Sequence, residues 1–259
     1  MREPVLVVKE SRTEDQGAQV SRQVPVSVSL VLPAYNEAAN VVAVVEGAIT
    51  FLRAQVERFE IVVVNDGSTD QTGELAEELS RRYPEVSVVH PPVNQGYGAS
   101  LRDGFTASRY EWLFFTDADH QFRIDSLSEL LPLRDQAEII VGFRRERQDP
   151  WSRRVLSLGY NALMGVIFDV RVRDIDCAFK LFHRRVFESV RIESDRFFVN
   201  TELLVKARAR RFRIVETGVD HFPRQYDRSK VSVWEIPRTL REIMRIWRSV
   251  RSTRGHAGH

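Results

Sequence analysis

The sequence predicts an α/β fold with one mostly parallel central sheet flanked by helices. Three observations predict it. Short apolar runs at Val26–Leu32, Glu60–Val64, Trp112–Thr116 and Glu138–Gly142 alternate with segments of helical periodicity. Strands covered on both faces read as such continuous runs. Three of the runs end in polar clusters, namely Pro33-Ala34-Tyr35-Asn36-Glu37, Asn65-Asp66-Gly67-Ser68-Thr69-Asp70 and Asp117-Ala118-Asp119-His120-Gln121. The third observation is size, since 259 residues with 43% hydrophobic content can bury one sizeable core.

The elements follow in chain order. Residues 1–24 mix charge, Gln and Ser without period and read as a loose extension. A strand at Val26–Leu32 stops at Pro33, and Glu37–Arg53 carries helical spacing. The strand Glu60–Val64 is followed by a helix over Thr72–Arg82 and a strand at Val86–His90. Asn94–Tyr97 form a turn, Ala99–Ser108 a helix, Trp112–Thr116 a strand and Glu138–Gly142 another. The pattern is that of a Rossmann-like sheet.

The second half is less regular. Val155–Phe168 is mostly apolar, too short to span a bilayer and interrupted by Ser157, Gly159 and Asn161. It reads either as a core helix or as an interfacial segment. A strand at Ala178–Phe182, a helix at Thr201–Arg211 and a strand at Arg213–Thr217 follow. In the segment Trp234–Val250, Ile236, Leu240, Ile243, Trp247 and Val250 recur at spacings of three and four, predicting an amphipathic C-terminal helix. The expected division is thus an extension at 1–24, one domain at 25–232 and a basic helix with tail at 233–259.

Charge and cysteine content narrow the classes. The formal net charge is only +2, yet six arginines face one acid, Glu242, between Arg238 and Arg254. Such a basic end suits an anionic membrane surface or nucleic acid, or the helix simply docks on the domain. A single cysteine, Cys177, excludes an intrachain disulfide and fits a reducing compartment. No run reaches the ~18 apolar residues of a spanning helix, and no signal peptide is visible, so a cytoplasmic protein is expected.

The chemistry is concentrated at the strand ends. In open α/β sheets, ligands bind beyond the carboxyl ends of the strands. Asp117 and Asp119 emerge there together, on the same side if the extended conformation persists past Thr116. Paired hard oxygens that share a divalent cation with a diphosphate suit Mg²⁺ or Mn²⁺. Asp66 can accept a base N–H or a ribose hydroxyl, while Ser68, Thr69 or Asp70 can equally cap the next helix. Neither GxGxxG after the first strand nor GxxxxGK[ST] is present, which disfavours a dinucleotide cofactor and a P-loop. His90, His183 and His221 lack metal spacing, Cys177 reads as packing and Arg208–Arg213 as a solvated helix end.

From about Val26 to Ser232 the chain resembles the family 2 glycosyltransferases of the GT-A fold. The likeness is strongest to the polyprenyl-phosphate sugar transferases related to dolichyl-phosphate mannosyltransferase. LPAYNE, VVNDGSTD, NQGYGASLRDGF, TDADHQF, VGFRRER, VRDIDCAFKLF, NTELL and the late Arg224, Ser229 and Lys230 carry it. The resemblance implies that Pro33, Tyr35, Glu37, Asp66 and Asp117 surround the donor nucleoside. It implies that Asp117, Asp119 and Gln121 hold the metal. Arg144, Arg153 and Ser157 match positions near the donor and acceptor phosphates, and Arg224 with Ser229 and Lys230 matches a basic loop over the site. Two departures leave the sugar open: His120 and Phe122 after the metal motif, and Asp227 where glycine is usual.

The implied activity is inverting transfer of a hexose from a nucleotide sugar (GDP-mannose or a UDP-hexose) to a membrane polyprenyl phosphate. A phosphate monoester has a second pKa near ~6 and is largely dianionic at neutral pH. It needs positioning by arginine more than a strong general base. If a carboxylate base exists, Glu202 is the candidate; otherwise Glu202 is a solvated residue in the first turn of a helix. The implied partners are the donor, the lipid, a membrane surface at its inner face and a small membrane-spanning anchoring subunit. A polysaccharide-synthase activity on a sugar hydroxyl is opposed by the lack of QxxRW and of spanning helices. A nucleic-acid or membrane adaptor would not require the acidic strand ends. A sugar nucleotidyltransferase would require a glycine-rich, lysine-bearing loop after the first strand.

Overall fold

A computed structural model describes residues 6–7, 23–145, 151–223 and 241–250. Eight strands form one sheet: β1 (Leu6–Val7), β2 (Val24–Ala34), β3 (Val56–Asn65), β4 (Val86–Val89), β5 (Trp112–Thr116), β6 (Ile139–Arg144), β7 (Phe179–His183) and β8 (Ile214–Val219). Their spatial order is β1-β8-β6-β7-β5-β2-β3-β4. Every pairing is parallel except those of β7, which runs antiparallel between β5 and β6.

Period-two alternation sends side chains to two separate cores. Leu30 and Leu32 of β2, Ile61 and Val63 of β3, and Phe114 of β5 enter the first. It is closed by Val45, Ile49 and Leu52 of α1 (Val41–Gln55) and by Ala76 and Leu79 of α2 (Thr72–Arg82). Val31, Val62, Val64, Leu113 and Phe115 enter the second. Leu101 and Phe105 of α3 (Tyr97–Ala107), Met164 and Phe168 of α5 (Trp151–Phe168) and Leu203 and Leu204 of α7 (Val199–Ala209) cover it. Two short helices, α4 (Leu127–Leu130) and α6 (Arg185–Ser189), lie between these elements. Phe114 and Phe115 are fully buried on opposite faces, each worth about 1.5–3 kcal/mol relative to exposure.

Two features lie outside the sequence reading. Leu6 and Val7, in the segment read as a loose extension, pair with Val215 and Glu216 as an edge strand. The antiparallel β7 has a consequence for the site. Its first residue, Phe179, pairs with Thr116, the last residue of β5, so the loop before β7 lies beside Asp117. Residues 241–250 are helical, with Ile243, Ile246 and Val250 buried in the second core. The apolar stripe of that stretch is thus occupied by the domain; residues 234–240 lie outside the described part.

Candidate active site

The ends of β2 and β3 are stitched into one rim. Asn36, in the left-handed region at φ 55°, donates its N–H to Ser68 Oγ at 3.0 Å and accepts from Thr69 N at 2.8 Å. The N–H of Glu37 donates to Thr72 Oγ1 at 2.8 Å. Of the three capping candidates, Asp70 receives the first N–H of α2, from Thr72 at 3.0 Å. Burial pushes the Asp70 carboxyl up, but its hydrogen bonds from Thr72 and Ala38 outweigh this and hold it below the usual range. Glu37 is buried; Oε2 accepts from Asn40 Nδ2 at 2.8 Å, and its carbonyl accepts the N–H groups that open α1. Pro33 closes the rim from β2, and Tyr35 is half-buried on the loop after it.

Asp66 lies at the base of this rim and is 3% exposed. Its two oxygens accept the N–H groups of Gln95 at 2.7 Å and Gly96 at 2.8 Å. The loop leading into α3 is therefore hung on Asp66.

At the end of β5 the extended conformation does not persist. Residues 118–121 bend, with His120 at φ 63°, so strand alternation does not set the relation between Asp117 and Asp119. Asp119 is buried, and its Oδ1 accepts the N–H of Gln121 at 3.1 Å. The half-buried Asp117 accepts the Tyr97 hydroxyl on Oδ1 at 2.8 Å. Burial, then the Asp117 charge, push the Tyr97 phenol well above its ordinary value, so it is a hydrogen-bond donor at neutral pH.

His221, discounted in the sequence for want of spacing, reaches this bend from the end of β8. Phe222 donates its N–H to Gln121 O at 2.9 Å, and Gln121 Nε2 lies 3.3 Å from His221 Nε2. No local motif signals that contact, because 100 residues separate the two. Arg224, Ser229 and Lys230, two to eight residues further on, lie outside the described residues.

The remaining candidates lie on β6, α5 and the loop before β7. Arg144 is held by Asp174 in a bidentate pair at 2.7 and 2.9 Å. Arg153 lies on α5 by its backbone, with its side chain outside the described part, and Ser157 is half-buried on the same helix. Asn161 of α5 donates to Arg173 O at 2.6 Å and accepts from Ile175 N at 3.4 Å, tying the helix to that loop. Beneath it the fully buried Lys180 donates to Cys177 O and to Asn200 Oδ1. Burial pushes its ammonium down to about 8, against nearby acids that raise it.

Glu202 is not solvated. It is fully buried and accepts the N–H groups of Glu193 at 3.0 Å and Ser194 at 2.8 Å. The Lys206 ammonium, one turn on, lies 2.6 Å from it. Its oxygens brace the loop at Glu193 and Ser194.

The donor set fits a divalent cation in one specific manner. Among the described residues no three His, Cys, Asp or Glu side chains gather as a metal cage. Mg²⁺ bound with a nucleotide is held by one or two carboxylates, with substrate phosphates and water completing the shell. Asp117 and Asp119, two residues apart beyond the end of β5, are the carboxylates that could form such a partial site.

The molecule is an α/β protein whose single, mostly parallel sheet carries acidic residues just beyond the ends of β3 and β5. Residues 29–191 match the model of glycosyl transferase family 2, and the chain belongs to that family. It is 33% identical over 232 residues to the glycosyltransferase AglD of Haloferax volcanii, covering 86% of this chain and 37% of that protein. It is 29% identical to a dolichyl-phosphate β-glucosyltransferase of Trichomonas vaginalis, covering 85% of this chain and 73% of the relative. The chain thus spans between about a third and three quarters of these relatives' lengths. The fold matches glucosyl-3-phosphoglycerate synthase of Mycobacterium tuberculosis, crystallised with Mn²⁺, uridine diphosphate and glucosyl-3-phosphoglycerate. The TM-score is 0.67 at 19% identity, covering 95% of this chain and 88% of that one, a likeness of the GT-A fold.

Proposed function

We propose that this chain is an inverting glycosyltransferase that moves a hexose from a nucleoside diphosphate sugar to the phosphate of a polyprenyl lipid. Residues 25–232 form the catalytic domain. The relative's dolichyl-phosphate β-glucosyltransferase name and the uridine diphosphate bound in the fold neighbour support a UDP-hexose as first candidate donor.

The observation that carries the lipid acceptor is the outer face of α5. Val155, Leu158, Gly159, Ala162, Leu163, Val166 and Ile167 are exposed, and no described exposed position of the helix is polar. Val166 is 86% exposed and Leu158 63%. Single exposed apolar residues are ordinary, whereas a contiguous apolar stripe marks an interaction surface. The inner face of the same helix holds the Arg173–Ile175 loop at the site. A phosphate at a bilayer surface and a nucleotide at the strand ends would then meet across one helix. No described helix is long and apolar enough to cross a membrane. In this reading the α5 face meets the bilayer or a small membrane-spanning subunit, at the inner, cytoplasmic side.

The reaction follows from charge. An acceptor phosphate oxygen attacks the anomeric carbon as the bond to the diphosphate oxygen breaks, and both electrons leave with the nucleoside diphosphate. A dianionic phosphate needs no proton removed, which agrees with Glu202 being consumed by structure. Asp117, Asp119 and Gln121 would hold Mg²⁺ or Mn²⁺, which when bound would supply Lewis-acid stabilisation of the departing diphosphate. His221, beside Gln121, extends this group. Pro33, Tyr35, Glu37 and Asp66 form the nucleoside pocket, with Glu37 and Asp66 acting through the loops they anchor. Arg144, Arg153, Ser157, Arg224 and Lys230 complete the phosphate-binding side. Arg144 is oriented for this by Asp174.

Thermal melts with a panel of GDP- and UDP-sugars plus Mn²⁺ test the donor half. A ligand at one hundred times its dissociation constant adds about 2.7 kcal/mol. A metal-dependent shift with a UDP-hexose is expected; no shift with any nucleotide sugar would contradict the reading.

A further inference from the structure

Two consecutive residues bridge the two carboxylates on which the proposed donor site depends. Gly96 donates its N–H to Asp66 Oδ2 at 2.8 Å, and the Tyr97 hydroxyl donates to Asp117 Oδ1 at 2.8 Å. The segment is clamped from behind by the loop 194–196. Gly96 sits at φ 99°, where a Cβ would meet Asp195 O at 2.5 Å, and a Cβ on Gly98 would strike Ser194 O. Gly98 donates its own N–H to Asp195 O at 2.9 Å. The Tyr97 ring stacks on Phe197, centroids 5.1 Å apart and planes 21° apart. Tyr97 is thus held at its backbone by both flanking glycines and at its ring by Phe197.

We infer that Tyr97 is a positioning residue for the metal, setting the orientation of the Asp117 carboxylate through its hydroxyl. A carboxylate on a strand end has two soft torsions, and a hydrogen bond at one oxygen fixes the direction of the other. Removing such a support behind a metal ligand typically lowers metal affinity about ten- to a hundredfold. The same segment links Asp66 to Asp117, so occupancy of the nucleoside pocket and order at the metal carboxylate are joined through one short stretch of chain. This inference rests on the proposed donor site.

Tyr97→Phe removes the hydroxyl and keeps the ring on Phe197. Binding of Mn²⁺ to the full chain with uridine diphosphate present, read by electron paramagnetic resonance of free Mn²⁺, is the test. Wild type should bind Mn²⁺, and Tyr97→Phe should bind it about ten- to a hundredfold more weakly, with an unchanged melting temperature. In an Asp117→Ala background, adding Tyr97→Phe should cause no further loss. Wild-type affinity in Tyr97→Phe, or an equal extra loss without Asp117, would overturn the inference. Failure of the wild-type chain to bind Mn²⁺ with the nucleotide would instead overturn the proposed donor site, and this inference with it.

Discussion

Asp174 grips Arg144 with both carboxylate oxygens, at 2.7 and 2.9 Å, where the side chains are 3% and 14% exposed. The pair ties the end of β6 to the loop before β7, across the edge that carries Asp117. Breaking a largely buried ion pair by removing one partner typically costs about 3–5 kcal/mol. Asp174→Ala should therefore lower the urea-derived stability by that amount. A loss of only about 0–1 kcal/mol, the range of solvent-exposed pairs, would show that the fork contributes little.

Glu202→Gln separates a structural from a catalytic carboxylate. It weakens the acceptor for Glu193 and Ser194 N–H groups and removes the charge facing Lys206. Stability should fall by about 1–3 kcal/mol, because Lys206 keeps its ion pair with Glu193. The pH profile of kcat/KM for the folded protein should stay as in wild type. A collapse of kcat with an unshifted melting temperature would assign Glu202 a role in the chemistry.

The α5 face is tested by charge. Leu158 and Val166 are largely exposed, so Leu158→Glu with Val166→Glu should leave the melting temperature in place. Each side chain buried in a bilayer interface contributes about 1.5–3 kcal/mol. Vesicle binding and use of a lipid acceptor should therefore drop by about tenfold or more, with nucleotide binding unchanged. Wild-type vesicle binding in this variant would remove α5 from the membrane contact.

Acid stability has a defined sign at Asp70. Its folded pKa lies below the ordinary value of 3.8. Its contribution is thus fully present above that value and disappears as pH falls through the folded pKa. Urea midpoints between pH 6 and pH 2, compared with Asp70→Asn, should converge at the acid end. A wild-type advantage that grows on acidification would contradict the assignment.

Local pattern made much of this fold legible. Trp112–Thr116 and Thr72–Arg82 coincide with β5 and α2, because a buried strand and an amphipathic helix write themselves into consecutive residues. The three acidic or polar strand ends could be read for the same reason, and the register of β2 with β3 and β5 brings them side by side. Contacts between distant segments were not legible. His221 beside Gln121, Asp174 on Arg144 and Tyr97 on Asp117 depend on strand order, above all on the antiparallel insertion of β7. Glu202 misled because its position in the first turn of a helix says nothing of the loop folded over it.

In the proposed reaction a phosphate on a lipid is the nucleophile. The most direct measurement offers the full chain UDP-glucose labelled in the sugar, Mn²⁺ and vesicles carrying either polyprenyl phosphate or the free polyprenol. The expected product is an organic-extractable, acid-labile labelled lipid with the phosphate and none with the alcohol. Label transferred to the alcohol, or no labelled lipid with any nucleotide sugar in place of UDP-glucose, would contradict it.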